Sequence, residues 1–215
     1  MPSLLDRRLY LCVPVREDLA SFVPAVLEGG VDVVQLREKH RPREEQVAPG
    51  RLLAEICRDF GVPFVMNDDP TLAAEVNADG VHVGQEDVSV EYCRELLGES
   101  AIVGLSTHSN EEFDRALAHP ATYFSAGPIE VTPTKEGRPA TGLDYALACQ
   151  ARSPRPVFVT GGVNEGNVAH LVGQGLRHFV VVRALTESST PLASARALRR
   201  ALDEALSAVA IQPTK

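Results

Sequence analysis

Two aspartates and three cations dominate the chemistry open to this sequence. Asp68 follows an apolar run at residues 63–66 and Asp87 follows another at 80–83, with the alanine-rich stretch 71–78 at helical spacing between them. If the two runs are parallel strands joined by that helix, their ends reach one edge of a sheet and the carboxylates become neighbours. Such a pair suits a hard divalent cation such as Mg2+. Arg37 and Lys39 extend an earlier apolar run, and strand alternation puts both on one face with Gln35. Lys135 stands in a Pro- and Gly-rich stretch, 127–142, of a length more typical of a binding loop or lid than of a spacer. Metal-bridged diphosphate would satisfy both sets, carboxylates holding the metal and Arg and Lys taking the remaining phosphate charge.

Each of these residues also has a plainer reading. Arg37 and Lys39 run into Arg41 and Arg43, as a solvated charge cluster would. Asp68 and Asp87 precede helical stretches and could cap them; for Asp69, ahead of Pro70, the cap is the better reading. Gly161-Gly162 allows a tight turn or a close backbone approach to phosphate, to which Arg183 would add a fork of donors. His82 lies within a strand and reads as a core histidine, His108 as part of a helix start. His40, His119, His170 and His178 have no ligand spacing. Convergence on one mouth favours the functional reading.

The elements that must position these groups alternate along the chain. Strands are expected at 9–14, 31–36, 63–66, 80–83, 101–105, 121–126, 156–160 and 179–182. Helices are expected at 18–28, 43–60, 71–78, 90–97, 110–118, 143–151 and 164–173, with Pro49 breaking or kinking the second. Ser109 or Asn110 would cap the fifth. Leu198, Leu202 and Leu206, four apart, give a last helix one apolar stripe. Near-continuous apolar strands imply a parallel sheet covered on both faces, and eight of them close a (β/α)8 TIM barrel spanning 1–215 as one domain. An open doubly wound sheet is the alternative, weakened by Cys12-Val13-Pro14-Val15 where a Gly-x-Gly-x-x-Gly turn would stand. In a barrel the C-terminal strand ends collect Gln35/Arg37/Lys39, Asn67/Asp68, Gln85/Asp87, Ser106/His108, Thr132/Thr134/Lys135, Gly161/Gly162 and Arg183, where active sites sit.

Composition is that of an ordinary soluble globular protein rather than a disordered one: 215 residues, 44% apolar, 23% charged. A net charge of −8 argues against nucleic acid or an anionic membrane as partner, and no apolar run is long enough to span a bilayer. The four scattered cysteines read as reduced and packed, and the start of the chain does not read as a signal peptide; a cytoplasmic location fits. Oligomeric state is left open, a homo-oligomer included.

The pattern resembles thiamine-phosphate synthase. The likeness is carried by Val34-Gln35-Leu36-Arg37-Glu38-Lys39, Asn67-Asp68, Gly80-Val81-His82-Val83-Gly84-Gln85-Glu86-Asp87, Ser106-Thr107-His108, Gly127-Pro128-Ile129, Thr132-Pro133-Thr134-Lys135, Gly161-Gly162 and Val181-Val182-Arg183-Ala184. The resemblance implies a barrel that joins 4-amino-5-hydroxymethyl-2-methylpyrimidine diphosphate to a thiazole phosphate, releasing diphosphate, with Mg2+ required. It implies that Gln35, Leu36, Arg37, Glu38, Lys39, Asn67, Ser106 and Lys135 bind the pyrimidine diphosphate. Thr132, Pro133, Thr134, Gly162, Val182 and Arg183 would bind the thiazole phosphate, and Asp68 and Asp87 the metal. Arg37, Lys39, Ser106 and Lys135 form the expected catalytic set. Three positions depart from the family pattern: Arg183, where many members carry Ser; Glu130, often aromatic; and the added acid Asp69. A thiazole tautomerase of the same barrel family is the nearest rival, disfavoured by the paired aspartates. A non-catalytic metabolite-binding barrel is disfavoured by retention of Arg37, Lys39 and Lys135.

Overall fold

Eight short parallel strands close on themselves in a computed structural model that describes residues 4–131 and 139–211. They are β1 (Leu9–Val13), β2 (Val33–Leu36), β3 (Phe64–Asn67), β4 (Gly80–Val83), β5 (Ile102–Thr107), β6 (Tyr123–Ala126), β7 (Val157–Val159) and β8 (His178–Val181). Each pairs with its neighbours in sequence, and β8 returns to β1 with Leu9 opposite Phe179 and Leu11 opposite Val181. The crossovers are α1 (Leu19–Glu28), α2 (Arg43–Asp59), α3 (Pro70–Glu75), α4 (Val90–Leu97), α5 (Asn110–Ala116), α6 (Leu143–Arg152) and α7 (Glu165–Gly173). After β8 come a single turn, α8 (Arg183–Thr186), and the long α9 (Pro191–Ile211). The expected (β/α)8 barrel is therefore present, with α8 an extra helix at the mouth. Among the described residues no helix is long and apolar enough to cross a membrane.

Strand parity divides the core in two. One set of alternate residues, including Leu9, Leu11, Val34, Leu36, Phe64, Met66, Phe124 and Phe179, packs outward against the helices. Tyr10, Val33, Val65, Ile102, Tyr123, Phe158 and Val180 fill the barrel interior, and Leu4 closes its lower end. On that lower rim, acids at strand starts satisfy the first N–H groups of neighbouring strands. Asp32 accepts from the backbone of Arg8 and Leu9 and pairs with Arg199 at 2.9 Å; Asp79 accepts from Phe64 N at 2.8 Å. Such backbone donors would otherwise be costly to bury.

Two expectations need correction. Pro49 does not break α2, which runs through it; burial of Gly50, Leu53, Ala54 and Cys57 beyond it offsets the roughly 3 kcal/mol an interior proline costs. Asp87 does not cap α4, because Ser89 does, its Oγ accepting from Tyr92 N. Asp69 does cap α3, accepting from Thr71 N and Leu72 N, and Ser109 caps α5. All four cysteines are free thiols. Burial pushes Cys57 up to about 12 and Cys93 and Cys149 up to about 11, leaving packed side chains rather than nucleophiles.

Candidate active site

At the C-terminal ends of the strands lies a cavity of about 1240 Å3. Inward parity continues each strand into it: Gln35 from β2, Asn67 from β3, His82 from β4, Ser106 from β5 and Ser125 from β6 all line it. The loop after β2 adds Arg37, Glu38 and Lys39, and the loops after β3 and β4 add Asp68 and Asp87. Across the opening stand Gly161, Gly162, Val182 and Arg183. Among the described residues, the one inferred binding residue that points elsewhere is Leu36, fully buried between sheet and helices. With Gln35 inward, period-two alternation leaves Leu36 no other direction. Thr132, Pro133, Thr134 and Lys135 lie outside the described residues.

The acidic half is tightly organised. Asp68 follows β3 in a left-handed conformation, φ 64°, which Asp tolerates better than most residues. Its backbone N–H donates to His82 O at 2.8 Å, and its carboxylate forms an ion pair with Lys39. Burial raises the pKa of Asp68; Lys39 opposes that shift, and the neighbouring Asp87 carboxylate reinforces it. Asp87 also closes its own turn, accepting from Gly84 N at 2.7 Å. Two adjacent carboxylates, with Lys39 the one cation paired to either of them among the described residues, make an oxygen donor set that fits a hard divalent ion. Among the described residues no third His, Cys, Asp or Glu completes a cage, so water and phosphate oxygens would fill the remaining positions.

Arg37 lines the cavity with no carboxylate partner among the described residues, which leaves its guanidinium for an anion. Glu38 does different work: its carboxylate accepts from Val15 N at 3.3 Å and His40 N at 2.9 Å, bracing the loops around the mouth. Asn67 presents a buried amide nitrogen with no partner among the described residues, a donor awaiting an acceptor.

The far half is built from backbone. Gly161 and Gly162 have φ of 105° and 76°. The Gly162 carbonyl is fixed by Asn164 Nδ2 at 2.7 Å and Asn167 Nδ2 at 2.9 Å, both from the start of α7. A Cβ on Gly162 would lie 2.4 Å from Glu130 Oε2, so the carboxylate of this family departure lies against the glycine turn. Arg183 opens α8, whose Thr186 carbonyl accepts from Arg16 Nη1 at 3.0 Å.

Several lining residues had no place in the sequence reading. Tyr10, Tyr123 and Ser125 form a polar floor, and His82, a buried strand histidine as expected, joins it, contacting Tyr123 at 2.9 Å and Ser106 at 2.8 Å. Glu112 also reaches the cavity, accepting from His108 N at 2.7 Å. The i, i+4 spacing of His108 and Glu112 was a usable signal for that pair.

The chain is similar to known proteins along most of its length. The family model described as thiamine monophosphate synthase matches residues 9–185. A thiamine-phosphate synthase of Acidothermus cellulolyticus is 44% identical over 198 residues, covering 90% of this chain and 93% of that protein. One of Thermobifida fusca is 43% identical over 210 residues, covering 95% and 96%. The solved thiamine phosphate pyrophosphorylase of Pyrococcus furiosus superposes with a TM-score of 0.83 at 28% identity, covering 93% and 96% of the two chains.

Proposed function

The chain belongs to the thiamine monophosphate synthase family, and on that premise we propose how its cavity carries out the transfer. It is a transferase acting on small molecules. The pyrimidine diphosphate takes the half of the cavity beneath Gln35, Asn67 and Ser106, with its diphosphate toward Arg37, Lys39 and the aspartates. The thiazole phosphate takes the half bounded by Gly162, Val182 and Arg183. Asp68 and Asp87 would hold Mg2+, which, when bound, would neutralise leaving-group charge.

The chain's own part is mostly electrostatic. The bond between the pyrimidinyl methylene carbon and the diphosphate oxygen breaks, and its electron pair leaves with the diphosphate. Arg37 and Lys39 meet that charge; Lys39 exchanges Asp68 for phosphate oxygen as the carboxylates engage elsewhere. The aminopyrimidine spreads the cation left behind, and the thiazole nitrogen supplies the lone pair for the new carbon–nitrogen bond. No protein nucleophile takes part, in keeping with a floor whose two buried phenols have raised pKa values. Holding the two rings in line supplies the rest of the rate enhancement.

The observation that carries this reading is the meeting of Asp68 and Asp87 with Arg37 and Lys39 in one cavity, opposite a glycine turn. A cytoplasmic location goes with it. The test is direct: incubate the protein with both substrates and Mg2+, oxidise, and measure thiochrome fluorescence. Absence of product from intact substrates and folded protein would overturn the assignment of both half-sites.

A further inference from the structure

Beneath the substrate halves runs a continuous chain of hydrogen bonds through the barrel floor. Cys12 Sγ donates to Gln35 Oε1 at 3.3 Å, and Gln35 Nε2 donates to the Tyr10 hydroxyl at 2.9 Å. Tyr10 and Tyr123 hydroxyls are 2.8 Å apart, Tyr123 stands 2.9 Å from His82 Nδ1, and His82 Nε2 is 2.8 Å from Ser106 Oγ. Ser106 Oγ lies 3.2 Å from Ser125 Oγ. Both ends of the chain face the cavity, and its middle is buried.

Donor accounting gives the chain one direction. An amide NH2 only donates, so Tyr10 accepts from Gln35 and spends its own proton on Tyr123. Tyr123 in turn donates to His82 Nδ1. A neutral imidazole that accepts at Nδ1 carries its proton on Nε2, and donates it to Ser106. Ser106, accepting from below, has its own hydroxyl proton free to turn toward Ser125 or a ligand. Reversal would require Gln35 to flip, setting an N–H against the Cys12 thiol and taking away its carbonyl acceptor. Burial raises the pKa values of both phenols, keeping them protonated donors. The arrangement is also sterically prepared. A Cβ on Gly104 would lie 2.2 Å from Tyr123 Cζ and 2.4 Å from His82 Nδ1, so the bare glycine makes room for the two stacked rings, whose centroids are 5.4 Å apart.

We propose that His82 is a positioning residue for substrate recognition: held as the neutral Nε2–H tautomer by Tyr123, it aims the Ser106 hydroxyl proton into the cavity, where it pairs with a ring-nitrogen acceptor. The inference rests on the pyrimidine half-site described above for the identity of that acceptor, while the tautomer stands on the floor alone.

The experiment has two arms. Nitrogen-15 NMR of histidine-labelled protein, with the His82 signals assigned by their loss in His82→Gln, reads the tautomer without turnover. We expect a pyridine-type Nδ1 and a pyrrole-type Nε2, and mobilisation of that pattern in Tyr123→Phe, which keeps the ring and removes the donor. Steady-state kinetics forms the second arm. Tyr123→Phe should raise KM for the pyrimidine diphosphate about tenfold and leave KM for the thiazole phosphate within about twofold, one hydrogen bond's worth. His82→Gln, whose amide nitrogen can replace Nε2, should retain more affinity than His82→Ala, with melting curves establishing that each variant is folded. An Nδ1–H tautomer in the native protein, or equal KM changes for both substrates, overturns the proposal. A correct tautomer in a protein that makes no thiochrome would instead sink the assigned activity and leave the floor chain standing.

Discussion

Exchanging Gly162 for alanine separates backbone strain from ligand space within one residue. At φ 76° an alanine sits in the left-handed region, which costs an L-residue about 1–2 kcal/mol. Its Cβ would meet Glu130 Oε2 at 2.4 Å, but that atom ends a flexible, exposed side chain and can step aside, so the clash adds little. For a chain of this size the strain lowers Tm by about 2–8 °C. The functional effect should be larger and selective. A methyl group in the phosphate cradle forfeits a charge-assisted backbone contact of about 1.5–3 kcal/mol, a rise in KM for the thiazole phosphate of roughly 10- to 150-fold. KM for the pyrimidine diphosphate should stay within about twofold. Gly161→Ala is the control: its φ is 105° and its Cβ would meet Ile129 N at 2.7 Å and Pro128 Cα at 3.0 Å, backbone atoms that cannot yield. Its loss of Tm should exceed that of Gly162→Ala. Melting by circular dichroism and KM for each substrate decide the matter. An unchanged thiazole-phosphate KM in Gly162→Ala, or equal rises for both substrates, would remove this turn from the phosphate site.

Asp87→Asn keeps an acceptor for Gly84 N and deletes the charge, so Mg2+-dependent turnover should fall at least about 100-fold with an unchanged melting curve; near-normal turnover would take Asp87 out of the metal site. Glu130→Gln removes a like charge from the phosphate cradle and should lower the thiazole-phosphate KM about two- to fivefold at low salt, less at high salt. A KM that does not move would place that carboxylate away from the bound phosphate. His178 is buried at the lower rim, its Nε2 2.6 Å from Arg8 Nη1, and burial, then the Arg8 charge, lowers its pKa to about 4. Below pH 6.5 the unfolded chain takes up a proton that the folded chain refuses, so stability is full above that pH and falls, by up to about 3 kcal/mol, as pH drops toward 4. Urea unfolding between pH 7 and pH 4.5 should lose that part of its slope in His178→Gln; an identical pH dependence would assign the effect elsewhere.

Most of the barrel and much of its mouth were legible in the amino-acid order. The reason is parity: once Gln35 points inward, Arg37 and Lys39 follow it, and the crossover between β3 and β4 brings Asp68 beside Asp87. The same rule, applied strictly, would have excluded Leu36, which the family pattern carried along with its neighbours. The floor was harder to see. Tyr10, Tyr123 and Ser125 sit in runs that read as mostly apolar, and only comparison of inward positions across different strands reveals a polar layer. Glu112 reaches the mouth from a helix, outside any strand-end pattern. Pro49 shows a local rule outvoted by packing, since the helix face beyond it is anchored to the barrel.

The acids of this molecule are divided between two rims. The carboxylates of Asp32 and Asp79 at the base hold strand ends together, whereas at the top that of Asp68 pairs with Lys39 and that of Asp87 closes its own turn. Scaffold and workshop are thus separately editable: randomising the upper loops would vary which molecules are admitted while leaving the closure of the staves intact, and a single exchange below could unfasten the vessel without touching its contents.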